Sequence, residues 1–130
     1  MKVLITGSDG FIAKNLALSL QQRQNIQVMS FNRESKTEDL SALIEKADFI
    51  FHLAGINRPQ DPAEFTRGNV DLSSLVSEAI KKCVNETGRY IPVVFGSSIH
   101  ASADNEYGRT KLAAENVFAA LASETGNPVF

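Results

Sequence analysis

The sequence predicts an α/β protein, a doubly wound parallel sheet with helices on both faces. Three observations carry that expectation. A short β-branched run near the N-terminus, Val3-Leu4-Ile5, passes through glycines straight into a helical pattern. Strand-length apolar runs then alternate with helix-length amphipathic segments along the chain, as parallel sheets with crossover helices require. The run Asp48-Phe49-Ile50-Phe51-His52-Leu53-Ala54-Gly55 is apolar almost throughout, as expected of a central strand covered on both faces.

Taken in order, the first strand leads into Thr6-Gly7-Ser8-Asp9-Gly10-Phe11-Ile12-Ala13. A strand that turns through glycines into a helix points unpaired N–H groups and a positive dipole end outward, a site for phosphate. Gly7 would permit the tight turn, Gly10 the close approach of a pyrophosphate, and Ala13 close packing of helix on strand. The helix that follows carries Ile12, Leu16 and Leu20 on one stripe beside Ala13 and Ala17. Ile26 to Phe31 reads as a second strand ending at Asn32-Arg33. Leu40, Leu43, Ile44 and Ala47 mark a short amphipathic helix, with Ser35 and Glu38 placed for a capping box. After the apolar run, a loop from Ile56 ends in Asp61-Pro62-Ala63-Glu64, a helix start with proline at its first position. Leu72, Leu75, Val76, Ala79, Ile80, Cys83 and Val84 carry a long helix that Gly88 closes. Tyr90 to Phe95 is the next strand and runs into Gly96-Ser97-Ser98. A last helix starts near Tyr107, with Leu112, Val117, Phe118 and Leu121 inward and Gly126 at its end. Pro128-Val129-Phe130 reads as the opening of a fifth strand. The expected strand order is Rossmann-type, with a ligand crevice at the carboxyl ends of the strands where the order reverses.

The chain has 130 residues, 43% hydrophobic and 22% charged, enough for one domain with a real core. A net charge of −2 removes any bulk electrostatic case for nucleic acid or an anionic membrane. No apolar run is long enough to span a bilayer, and the start shows no signal-peptide pattern. Cys83, the single cysteine, reads as a small core residue, and no disulfide framework or metal cluster is expected. A reducing cytoplasm is the expected setting. Residues 1–130 read as one dinucleotide-binding domain, the N-terminal fragment of a longer enzyme.

Tyr107-Gly108-Arg109-Thr110-Lys111 places a phenol and an ammonium four apart on one helical face. A free phenol is a poor proton donor at neutral pH, and a neighbouring cation favours its ionised form. Ser98, just past a strand end, is placed to hydrogen-bond a substrate oxygen near that phenol, with Ser97 as the alternative.

On three motifs the chain resembles the extended short-chain dehydrogenase/reductase family. These are the Thr-Gly-x-x-Gly-x-x-Ala turn (Thr6 to Ala13), Asp48…His52-Leu53-Ala54-Gly55 on the family's fourth strand, and Tyr107-x-x-x-Lys111. The resemblance implies that Tyr107 is the acid/base, that Lys111 holds the nicotinamide ribose, and that Ser98 orients the reacting oxygen. It places Asn69 beside the active site, Asp39 and Leu40 by the adenine, and Gly7, Asp9, Gly10, Phe11, Ile12, Leu53, Ala54 and Gly55 along the cofactor. Family members often dimerise through two long helices, here around residues 69–84 and 107–122.

Relatives that bind NAD carry a carboxylate at the end of the second strand to accept from the ribose hydroxyls. Asn32-Arg33 stands there instead. A guanidinium suits a 2′-phosphate, and no acid is expected beside it, so NADP(H) is predicted. Sugar 4,6-dehydratases of the same family carry Asp-Glu directly after the active-site hydroxyl residue. Ile99-His100 occupies that place, which argues against elimination and for net reduction.

A narrower resemblance covers His52 to Pro59, Glu64-Phe65 with Gly68-Asn69-Val70, and Ser97-Ser98-Ile99 leading to residues 104–108. These segments are similar to the CapF/WbjC-like group of bifunctional capsular polysaccharide enzymes, which join a reductase domain to a C-terminal cupin. This implies reduction of a UDP-linked 4-keto-6-deoxy-N-acetylhexose to the L-talo sugar on the route to UDP-N-acetyl-L-fucosamine. It also implies a substrate lobe and a metal-binding cupin beyond these residues, with Asn57 and Arg58 near the substrate entrance. The competing expectations are a nucleotide-sugar epimerase with tightly bound NAD and a non-catalytic NADP-binding module.

Overall fold

A computed structural model describes residues 1–55, 61 and 63–130. The expected entrance residues Asn57 and Arg58 lie outside the described residues. The elements run β1 (Lys2–Thr6), α1 (Phe11–Gln21), β2 (Gln27–Phe31), α2 (Asp39–Lys46), β3 (Phe49–His52), α3 (Ala63–Phe65), a π-helical turn (Thr66–Asp71), α4 (Leu72–Thr87), β4 (Val93–Phe95), a 3-10 turn (Ile99–Ser102) and α5 (Glu106–Thr125). All strand pairs are parallel and their order is β2-β1-β3-β4, so the strand order reverses between β1 and β3. This is the doubly wound, Rossmann-like arrangement the alternation predicted. The His-Leu-Ala-Gly motif ends the third strand of this chain rather than a fourth.

Period-two alternation sorts the side chains to the two faces of the sheet. Leu4 and Ile50 point to one face, where Leu40 and Ile44 of α2, Val76 and Ile80 of α4, and Phe118 and Leu121 of α5 pack against them. Val3 and Ile5 point to the other face, against Ala13 of α1, with Phe49 and Phe51 only partly covered there. Ala13 is 1% exposed, the close helix-to-strand packing expected of a small residue at that position. Val129 makes a single parallel bridge to Val93, so Pro128-Val129-Phe130 begins a fifth strand alongside β4. α4 and α5 close on left-handed Gly88 and Gly126, as expected. Among the described residues no helix is long and apolar enough to cross a membrane.

Several local expectations are corrected. No capping box forms on α2: Glu38 is the cap without a side-chain bond, and Ser35 instead exchanges hydrogen bonds with Asn32. The Asn32 Oδ1 also accepts from the N–H groups of Glu34 and Ser35, so this turn, rather than the start of α2, engages the Ser35 hydroxyl. β4 starts at Val93, and Tyr90 is exposed. Ile12, Leu75 and Leu112 do not face the core; they are 70%, 45% and 45% exposed.

Candidate active site

Gly7 sits where β1, β2 and β3 end together. Its φ is +69°, the left-handed region. Its N–H donates to Phe31 O at 2.9 Å, and a Cβ placed on it would lie 2.6 Å from both Cα and N of Ala54. Only glycine can make this turn. The Gly10 N–H bonds Gly7 O at 3.0 Å and closes the turn onto α1. Gly10 caps that helix without any side-chain bond, and its first turn carries no acid. The first N–H groups of α1 therefore face outward beside a backbone that a ligand can approach, which fits the diphosphate of a dinucleotide.

A cleft of about 710 Å³ opens from this turn. One wall is Gly7, Asp9, Gly10, Asn32 and Arg33, its floor Leu53, Ala54 and Gly55, and its far wall Arg67, Asp71 and Leu75. Eight of the expected cofactor residues thus meet in one place. Phe11 and Ile12 stand exposed on the first turn of α1, outside the lining. Asp39 and Leu40 are not brought to the cleft. Leu40 is 2% exposed and faces the sheet, because the short helix spends its apolar side on the core; Ser35 and Thr37 line the cleft instead.

The strand-end region also corrects the charge expected there. The carboxylate of Asp9, brought from the glycine turn, accepts from Asn32 Nδ2 at 3.3 Å, so an acid does stand at the end of β2. Arg33 is exposed in the same wall and has no ion-pair partner among the described residues.

At the other end of the switch point, α5 presents Lys111, which is 4% exposed. Its Nζ donates to Gly96 O at 2.7 Å and stands 4.8 Å from the centre of the Phe95 ring. Burial lowers its pKa, opposed by the nearby Glu115 carboxylate. A Cβ on Gly55 would lie 3.2 Å from Asn69 Oδ1 and 3.4 Å from Lys111 Nζ, so the two groups converge on that glycine. Asn69 is 1% exposed, and its amide donates to Thr110 Oγ1 at 3.1 Å. Tyr107, half-buried one turn before Lys111, has its ring centre 5.9 Å from that of Phe65 and 6.4 Å from that of His100.

The two serines differ in their partners. Ser97 Oγ donates to the Glu115 carboxylate, which ties the loop to α5. Ser98 caps the 3-10 turn and accepts from the His100 N–H at 3.1 Å, which leaves its own proton available.

Behind this surface lies a group that sequence reasoning used only as a motif letter. His52 is fully buried, with Nδ1 2.6 Å from Thr6 Oγ1 and Nε2 2.9 Å from Ser73 Oγ. Its pKa is lowered from 6.5 to about 3, first by burial and second by the charge of Lys111. Arg67, Asp71 and the π turn that presents them were also missed, since a widened turn has no periodic signature.

A family model described as the NAD dependent epimerase/dehydratase family matches residues 3–130. A UDP-2-acetamido-2,6-beta-L-arabino-hexul-4-ose reductase of Pseudomonas aeruginosa is 47% identical over 130 residues, which is 100% of this chain and 34% of that protein. Among solved structures, the capsular polysaccharide assembling protein CapF of Staphylococcus aureus superposes with a TM-score of 0.81 at 38% identity, over 100% of this chain and 34% of CapF. A UDP-glucuronic acid 4-epimerase of Bacillus cereus in complex with NAD gives 0.84 at 19% identity, over 99% of this chain and 55% of that one, a likeness of fold. The chain therefore spans about a third of the length of the reductase and of CapF. With a glycine turn, a switch-point cleft and a Tyr107…Lys111 pair already in place, the match fixes the assignment: the chain belongs to the NAD dependent epimerase/dehydratase family.

Proposed function

We propose that this chain is the cofactor-binding part of an NADPH-dependent reductase that converts a UDP-linked 4-keto-6-deoxy-N-acetylhexose to the L-talo sugar nucleotide. The observation that carries the reading is the identity of 47%, over the whole chain, with a reductase whose name specifies a UDP-linked hexulose. It is supported by the convergence of Asn69 and Lys111 on Gly55, one turn from Tyr107.

In this reading Gly7, Gly10 and the opening N–H groups of α1 hold the diphosphate, while Leu53, Ala54 and Gly55 form the floor. Bound NADPH would supply the hydride that reduces the carbonyl carbon. Tyr107 gives its phenolic proton to the carbonyl oxygen, so the C=O becomes an alcohol and a phenolate remains. The Lys111 ammonium, held by Gly96 O, favours that phenolate electrostatically and binds the nicotinamide ribose. Ser98 donates to the same oxygen and holds it in line with the phenol. Arg33 meets the 2′-phosphate of the cofactor. Outer faces of α4 and α5 would pair two full-length copies.

The epimerase reading with NAD draws on one specific observation, the Asp9 carboxylate at the end of β2, where ribose hydroxyls would find an acceptor. The full-length protein, mixed with NADPH and the keto sugar, decides between them. Consumption of NADPH in proportion to alcohol formed supports the reductase. Turnover without net loss of NADPH, with NAD bound on purification, supports the epimerase. Tyr107→Phe should abolish reduction and leave NADPH affinity nearly unchanged, and retained turnover removes Tyr107 from its role.

A further inference from the structure

The π turn and the buried histidine behind it take no part in the steps just described. A π turn departs from ordinary helix geometry and occurs most often where a function needs a particular side-chain aim. Here the turn at Thr66–Asp71 carries Asn69 inward, against Gly55 and beside Lys111. Its geometry is tied down on both sides. The Asn69 side chain donates to Thr110 Oγ1 at 3.1 Å, and that hydroxyl donates to Tyr107 O at 3.0 Å. The Asn69 backbone carbonyl accepts from Ser73 Oγ at 2.7 Å. Ser73 is fully buried and faces His52 Nε2 at 2.9 Å.

The bookkeeping of protons then assigns the tautomer. Ser73 has one hydroxyl proton and spends it on Asn69 O, so toward His52 it can only accept. Nε2 must therefore carry the hydrogen, and bare Nδ1 accepts from the Thr6 hydroxyl at 2.6 Å. Thr6 Oγ1 in turn accepts from the Ala54 N–H at 3.4 Å. A continuous chain runs from the glycine turn at the end of β1, through β3, to the π turn and on to the Tyr107 carbonyl.

We propose that His52 is a positioning residue of the reduction site: as its neutral Nε2–H tautomer it aims the Ser73 hydroxyl at the Asn69 carbonyl, and so holds the π turn that sets Asn69 against Gly55 and beside Lys111. The inference rests on the reductase reading for its kinetic test only. The surroundings favour the neutral form from every side. Rings of Phe95 and Phe118 flank the imidazole with centres at 5.8 and 5.3 Å. Of the charged groups, Lys111 opposes protonation, and Glu115 acts on Lys111 rather than on the imidazole. A protonated His52 would present donors at both nitrogens, and the Thr6 hydroxyl could no longer give its proton to Nδ1.

Ser73→Ala in the full-length protein removes the link and leaves His52 in place. The expected result is a fall in kcat on the order of 10- to 100-fold, the scale of a small misplacement of reacting groups. KM for the keto sugar and Kd for NADPH, read by fluorescence titration, should change by less than about threefold. A merely structural serine would lower the melting temperature and leave kcat intact where the variant is folded, and that result overturns the proposal. If the variant does not fold, nitrogen-15 histidine spectra of the unsubstituted protein decide. An Nε2–H imidazole that stays neutral from about pH 8 to about pH 5 supports the proposal. An Nδ1–H tautomer, or protonation within that range, overturns it. Those spectra need neither substrate nor turnover, so they stand or fall independently of the reductase reading, which fails separately if the keto sugar does not drive NADPH oxidation.

Discussion

Gly7→Ala tests whether the opening turn is held by backbone geometry, and the structure sets the size of the effect. At φ +69° a side chain occupies the left-handed region, which costs an L-residue about 1–2 kcal/mol. The added Cβ would also lie 2.6 Å from Cα and N of Ala54 and 2.9 Å from the Leu53 carbonyl carbon. These are backbone atoms of the segment just beyond β3, so no side chain can swing away. Forcing β1 and β3 apart should cost a further ~1–3 kcal/mol. The combined loss of about 2–5 kcal/mol is a large share of the ~5–15 kcal/mol that stabilises a typical domain. Gly10→Ala is the matched control. Gly10 has ordinary extended backbone, and its Cβ would meet only Gly7 O at 3.2 Å, so stability should move by no more than about 1 kcal/mol in either direction. Native-state hydrogen exchange of the β1 and β3 amides in the full-length protein reads both variants without requiring the whole chain to unfold in one step. Protection in β1 and β3 should collapse for Gly7→Ala and persist for Gly10→Ala, while in the proposed binding mode Gly10→Ala should weaken dinucleotide binding, because its methyl group would stand where the diphosphate is to approach. Protection in Gly7→Ala within about 0.5 kcal/mol of the unsubstituted protein would refute the reasoning.

Three further outcomes are expected. Arg33→Ala should weaken NADPH binding far more than NADH binding in paired titrations; equal losses, with Asp9 at the same strand end, would move the assignment to NAD. Asn127→Ala should cost on the order of 2–3 kcal/mol by thermal or denaturant unfolding, because Asn127 Oδ1 accepts from Ile91 N–H at 2.8 Å and Nδ2 donates to Ile91 O at 2.9 Å, both buried. Acid sensitivity should show His52: its folded pKa of about 3 lies below the unfolded 6.5, so the unfolded chain takes up a proton that the folded one refuses. The stability this contributes is whole above pH 6.5 and is lost at about 1.4 kcal/mol per pH unit as the pH falls through that window. Between pH 6.5 and about pH 5 few carboxylates titrate, so a melting temperature that stays flat there, or one that His52→Gln does not flatten, would contradict the assignment.

What was legible in the sequence is what local chemistry decides. The β1 turn into α1 needs residues within one span of each other, and Val3, Gly7, Gly10 and Ala13 announce it together. Exposure of single apolar residues was not legible. Leu75 and Leu112 fit their helical stripes by spacing, yet each is 45% exposed, one of them in the cleft wall. The π turn hid something else: an extra residue per turn rotates everything before it relative to everything after it. Arg67 and Asn69 therefore fall out of phase with the pattern of α4, and no 3.6-residue period could predict which way they point. The different partners of Ser97 and Ser98 were likewise not legible, because Glu115, eighteen residues beyond Ser97, occupies one hydroxyl and not the other.

The sheet order explains why these distant pieces meet. β1 lies between β2 and β3, with Thr6 in register with both Phe31 and His52. The residues just beyond those three positions are Gly7, Asn32 and Leu53, so one register brings the glycine turn, the Asn32 side chain and the cleft floor to a single edge. The same Thr6–His52 pair is hydrogen-bonded across the strands, and His52 continues through Ser73 to the π turn. Strand pairing and site geometry are therefore one structure rather than two. A substitution that shifts β3 by one residue would exchange His52 with a partly covered position of the other face and break the polar chain, even with every residue around Tyr107 unchanged.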